Sequence, residues 1–142
     1  MSFLVSEGGI ALKKLLEFIE ACRNIDEVGG IAVFLGVVRG KAHSGEDVER
    51  LDFEAYKEKA EEAFARIAEE IKERHGALKV LIHHAVGRVE VGGLIMLVAV
   101  AGRSRKEVFP ALSEAVERVK REAPIWKKET LKDGRSYWVE YG

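Results

Sequence analysis

Lys120 and Lys127 bracket a proline in the segment Lys120–Glu129, KREAPIWKKE. A lysine amine becomes a nucleophile or a proton shuttle once burial or a neighbouring cation depresses its pKa. A helix end, a proline break and a strand start fall together here, so the corner can aim Lys120 from a last helical turn and Lys127 from a strand into one concavity. Alternation along that strand turns Lys128 away from Lys127. The plainer account is structural: Lys120 and Arg121 complement the C-terminal end of a helix dipole, and lysines are common on exposed hairpins. Packing beneath Trp126 or other apolar surface would separate the two accounts.

A second basic group follows two apolar runs, with Arg39 after Ile31–Val38 and Arg103 and Arg105 after Leu94–Ala101. Arginines at strand ends beside a helix N-terminus suit an anion, and they suit surface ion pairs equally. The histidines His43, His75, His83 and His84 form no HExxH pattern, and adjacent His83 and His84 on a strand point to opposite faces, so no metal site is expected. No GxSxG, Walker or GxGxxG motif occurs, and no resident cofactor is expected. Cys22 is the single cysteine, which excludes an internal disulfide and reads as a core residue. Glu58, Glu61, Glu62 and Glu69 interleave with lysines as a solvated helix face.

The elements that must hold these residues are readable from periodicity. Leu12, Leu15, Leu16, Ile19 and Cys22 recur at helical spacing, predicting a helix over about residues 9–23. Ile31–Val38 predicts a strand buried on both faces, followed by a mobile loop over residues 41–47. Leu51, Phe53 and Ala55 alternate with charged residues as a half-buried strand. Ala60, Phe64, Ile67, Ala68 and Ile71 stripe a helix from Lys57 to His75, with Gly76 as its C-cap. Leu78–Val86 and Leu94–Ala101 predict two strands joined by a turn at Gly92-Gly93. Ser104-Arg-Lys-Glu107 has the form of a capping box and opens a helix that contains Pro110 and stops at Pro124. The stretch Ile125–Tyr141 predicts a hairpin turning at Asp133-Gly134. The order is β, α, β, β, α, β, β, α, β, β, and clustered strand pairs favour an α+β fold with a mixed, mostly antiparallel sheet and about three helices.

The 142 residues are 47% hydrophobic and 33% charged, with 23 basic and 24 acidic side chains, which suits one soluble domain spanning residues 1–142. A net charge of −1 gives no global attraction to nucleic acid or an anionic membrane. No signal-peptide pattern is present and the apolar run Leu94–Ala101 is too short to cross a bilayer, so the cytoplasm is the expected compartment.

The run Ala123-Pro-Ile-Trp-Lys-Lys-Glu129, preceded by Lys120, resembles the signature of the large, catalytic subunit of molybdopterin synthase. The same pattern is met, in order, by Gly36-Val-Val-Arg39, Phe53-Glu-Ala-Tyr56, Ile82-His-His84 leading to Val86-Gly87, Ser104-Arg105 before Phe109, and Tyr137-Trp-Val-Glu140. The resemblance implies an α/β-hammerhead fold and a homodimer of large subunits within a heterotetramer. It implies sulfur transfer to cyclic pyranopterin monophosphate (precursor Z), forming the dithiolene of molybdopterin. Sulfur would arrive as a thiocarboxylate on the C-terminal Gly-Gly of a small ubiquitin-like partner. This chain ends Glu140-Tyr141-Gly142, as expected of the acceptor and not the carrier.

By the same resemblance Lys120 and Lys127 match the catalytic lysines, without a division of roles between them. Val37, Val38, Arg39, Ser104, Arg105, Lys128 and Glu129 match substrate-binding positions, with Arg39 and Arg105 on the anionic groups. Ser104 stands where the family usually has histidine, and Ala85 where it commonly has arginine, so the proton chemistry at Ser104 must differ. Two other readings compete. A non-catalytic α+β module could bind a partner's extended C-terminal tail by strand addition. A nucleic-acid-binding domain is disfavoured by the near-neutral charge and the lack of an RNP-like aromatic pair.

Overall fold

The computed structural model describes residues 3–140. Along the chain come β1 (Phe3–Glu7), α1 (Lys13–Arg23), β2 (Gly30–Val37), β3 (Val48–Ala55), α2 (Lys57–His75), β4 (Lys79–Glu90), β5 (Leu94–Gly102), α3 (Arg105–Glu122), β6 (Ile125–Leu131) and β7 (Ser136–Val139). The strands form one sheet in the order β2-β5-β4-β3-β6-β7, antiparallel throughout, and β1 joins β4 in parallel. The element order and the mixed, mostly antiparallel α+β class agree with the sequence reading.

β4 couples the two halves of the sheet. Its residues Lys79–His84 pair with β5, whereas Gly87–Glu90 pair with β3. Gly87, at φ 80°, allows the change of partner: its backbone lies in the left-handed region, and a Cβ there would stand 2.9 Å from Glu7 Oε2. The strand therefore runs four residues past the expected end at Val86, to Glu90.

The core lies where α2 and α3 cover the sheet. Phe64, Ile67, Ala68 and Ile71 of α2 are fully buried, as are Ala111, Ala115 and Val119 of α3, each set at helical spacing. Gly76 closes α2 in the left-handed conformation, as its sequence position predicts. Ser104 caps α3 by accepting from Lys106 N–H, but Glu107 departs from the capping box and bonds Arg103 N–H instead. The hairpin β6–β7 turns at Gly134, φ 94°; Tyr141, at its expected end, lies outside the described residues.

Several expectations are corrected. α1 starts at Lys13, not residue 9, because Ile10 N–H is held by Leu94 C=O. Cys22 is buried as expected, but Leu12 and Leu16 from the same stripe are exposed, since α1 covers little of the sheet. β2 is not buried on both faces. It ends the sheet, paired to β5 alone, and leaves Val33 and Val37 exposed. Residues 41–47 are a closed turn and not a mobile loop. Lys41 pairs with Asp47, Ala42 and Glu46 are backbone-bonded, and Glu46 meets Arg135 on the β6–β7 hairpin. Among the described residues no helix is long and apolar enough to cross a membrane.

Candidate active site

The end of β2 and the α3–β6 corner enclose a cavity of about 340 Å³. Lys120 enters from the last turn of α3, Lys127 from β6, and Arg39 and Lys41 from the segment after β2. Glu129, two residues along β6 from Lys127, faces the same space by strand alternation. Apolar walls come from Phe34, Leu35, Val37, Leu51, Ile95 and Met96. The proline break at Pro124 makes this convergence possible: α3 ends at Glu122 and β6 begins at Ile125, so a helix and a strand supply lysines to one site within one short reversal.

The lining is dominated by one sign of charge. Arg39, Lys120 and Lys127 face a single lining carboxylate, Glu129, which accepts from Tyr137 O–H at 3.1 Å, while the Lys41 ammonium is paired with Asp47. Lys127 is half-buried, and burial lowers its pKa below the ordinary lysine value. Glu129 opposes that shift, while the charges of Lys120 and Arg39 add to it. The result is an amine more readily freed of its proton than a surface lysine. Trp126 does not supply the burial, because it lies exposed on the other side of β6. Phe53, paired in register with Lys127, is buried at the cavity side.

The remaining candidates divide by position. Val37 lines the cavity, whereas Val38 is buried and tied by its backbone to Gly92 and Gly93. Lys128 points to the outer face of the sheet, its Nζ 6.0 Å from the Trp138 ring centroid. Ser104 and Arg105 are not among the cavity residues. β2 and β5 are antiparallel, so the end of β2 lies beside the start of β5, and the end of β5 lies at the far side. The six strand steps from Met96 to Gly102 place the α3 N-terminus ~20 Å from the cavity, beyond the reach of an arginine side chain. Arg103 is engaged structurally, bonded to Glu27 and to Gly76 C=O. Sequence reasoning missed Lys41 and His43 in the lining. Their closeness to Arg39 was the available signal, but assigning residues 41–47 to a mobile loop hid it.

The MoaE protein family model matches residues 6–122. The chain belongs to the MoaE family. Among its relatives, the molybdopterin synthase catalytic subunit of Nostoc sp. is 39% identical over 128 residues, 89% of this chain and 77% of the relative. That of Pyrococcus abyssi is 40% identical over 112 residues, 79% of this chain and 74% of the relative. The crystal structure of molybdopterin synthase from Staphylococcus aureus superposes with a TM-score of 0.86 at 34% identity, covering 98% of this chain and 97% of that one. Membership in the MoaE family makes this chain an enzyme of molybdopterin biosynthesis. Lys120 and Arg39 fall inside the matched segment, and Lys127 and Glu129 lie beyond its end, on β6.

Proposed function

We propose that this cavity transfers sulfur from the C-terminal thiocarboxylate of a small ubiquitin-like carrier to cyclic pyranopterin monophosphate, building the dithiolene of molybdopterin. The supporting observation is the convergence of Lys120, Lys127 and Arg39 on one cavity. Both reactants carry negative charge, and a pocket of preorganised cations reduces their mutual repulsion while fixing their approach. The Arg39 guanidinium suits bidentate bonds to the cyclic phosphate. Lys127, its pKa lowered, accepts and returns the proton that moves as sulfur bonds to a side-chain carbon of the substrate and displaces its oxygen, while Lys120 holds the thiocarboxylate as a cation. Water then cleaves the acyl–sulfur bond and leaves the carrier as a carboxylate, and a second carrier supplies the second sulfur.

Within this reading Arg105 acts on the substrate held by a second copy. It cannot reach its own cavity, and the exposed edge of β2, with Val33 and Val37, together with exposed Phe109, offers an apolar surface for that copy. The active assembly is then a homodimer of this chain with two carriers, working in the cytoplasm.

The test is conversion of precursor Z by the purified chain with a thiocarboxylated carrier, beside Lys120→Ala and Lys127→Ala variants checked for folding by circular dichroism. Product from the parent, lost in either folded variant, supports the reading. Tight carrier binding without product would leave the tail-binding module in its place. Product surviving both substitutions would move the chemistry away from this corner.

A further inference from the structure

His84 is fully buried in β4 and has no place in the scheme above. Its register partner on β5 is Met96, so the two side chains share a face, and Met96 lines the cavity. On its other side the Phe53 ring meets the imidazole edge-on at 5.1 Å and 72°. Phe53 is in turn the register partner of Lys127. His84 therefore lies beneath the cavity floor, behind Met96 and between β5 and β3, which both contribute lining residues. His83, also buried, points to the opposite face.

The tautomer follows from one contact. His84 Nδ1 lies 2.7 Å from Ala85 C=O. A carbonyl only accepts, so Nδ1 carries the hydrogen, and a neutral ring leaves Nε2 as an acceptor. The ring is neutral at physiological pH: burial pushes its pKa down to about 4, the Ala85 bond partly opposes this, and the Lys120 charge adds to it. The charged groups around this floor are Lys120 from α3, Lys127 and Glu129 from β6, and Arg39 and Lys41 after β2. A protonated imidazole would add to an excess of positive charge, whereas a neutral acceptor offsets it.

We propose that His84 is a positioning residue for Lys120, presenting its Nε2 lone pair to the lysine Nζ and holding that group at the cavity floor. The consequence for catalysis rests on the sulfur-transfer reading; the contact itself does not. Nitrogen-15 NMR of the full chain at neutral pH tests the contact. The expected state is Nδ1–H with bare Nε2, and the Nε2 resonance should move in Lys120→Ala toward that of an imidazole nitrogen with no donor. An Nε2–H tautomer, or an Nε2 resonance unmoved by Lys120→Ala, overturns the proposal.

Kinetics test the consequence. His84→Leu should lower kcat by roughly 10–100-fold with KM nearly unchanged, as expected for a misplaced catalytic group. His84→Gln keeps an acceptor near the Nε2 position and should restore most of the rate. His83→Leu, an equally buried change on the other face, should leave kcat near that of the parent. Equal loss in the Leu and Gln variants of His84, or no loss in either, overturns the positioning role. If His84→Leu does not fold, the NMR measurements on the parent and Lys120→Ala decide. If the parent makes no molybdopterin, those same measurements still judge the contact, so the two failures are distinguishable.

Discussion

Two clusters of charge sit on this molecule, and they are built on opposite plans. Between α2 and α3, Arg118 lies among Glu70, Glu114 and Glu122, with Arg66, Arg74 and His75 bonded to the outer sides of the same carboxylates. Hydrogen bonds donated by Arg118 to Glu122 and Glu70 raise its pKa, and Arg118 lowers that of Glu122. Arg118 and Glu122 each favour the other's charged state, and the product is a clamp between helices. In the cavity, cations gather around a half-buried lysine whose charged state they oppose. Charge that its own neighbours complete stabilises the fold, whereas charge of one sign gathered in a cavity is stabilised by an anion that arrives.

The sharpest way to break this contrast is to exchange the readouts. Lys127→Ala should reduce molybdopterin formation by roughly 100-fold or more, the scale of lost proton transfer, with urea unfolding nearly unchanged. A variant as active as the parent would reduce the cavity to an ordinary basic surface. Complementation comes next in size. Arg105→Ala and Lys120→Ala should each be inactive alone, but a mixture re-associated at random should recover roughly a quarter of parental activity, because half the dimers hold one intact site. No recovery would mean that Arg105 does not serve a second copy's cavity.

On the clamp side, Arg118→Ala should cost about 2 kcal/mol in urea unfolding, because it leaves facing carboxylates without their shared cation, while activity stays near parental. The acid limb gives the sign. Glu122 has a folded pKa below its ordinary value, set first by its Arg118 hydrogen bond, so its contribution is present above about pH 4.5 and is lost as pH falls through the folded pKa. Arg118→Ala should flatten that loss. Lys127 runs the other way: with its folded pKa depressed, stability should rise with pH between the folded value and the ordinary lysine value. Its activity limb should lie below that of a free lysine, and Glu129→Gln, which removes the opposing carboxylate, should move the limb lower still. A limb unmoved by Glu129→Gln would remove the electrostatic part of the explanation. The smallest effect belongs to Lys128→Ala, on the outer face against Trp138. Turnover within about twofold of the parent and at most about 0.5 kcal/mol of stability are expected there.

Elements with a strong internal period were the most legible. The stripe from Ala60 to Ile71 marked α2, and Gly76 marked its end, because both signals are local and the helix buries the face the stripe defines. The Lys120–Glu129 corner was legible for the same reason, since Pro124 and strand alternation fix which lysine faces which way. Ile31–Val38 misled because an apolar run reports a wish for burial and not what provides it. In this chain β2 ends the sheet, and its exposed valines await a covering surface. Ser104 and Arg105 looked like neighbours of Arg39 because each follows an apolar strand, yet antiparallel pairing puts them at opposite ends.

The order of residues alone determined the three helices, the reach of both cavity lysines and the family to which the chain belongs, since all three depend on spacing within short segments. Only the tertiary structure decided that Arg39, Lys41 and Glu129 share their cavity, that Lys127 is half-buried with its pKa lowered, and that His84 is buried behind the cavity residue Met96. Those facts depend on which strands pair and in which direction. Pairing is chosen by burial summed over the whole sheet, a quantity that no local window of sequence contains.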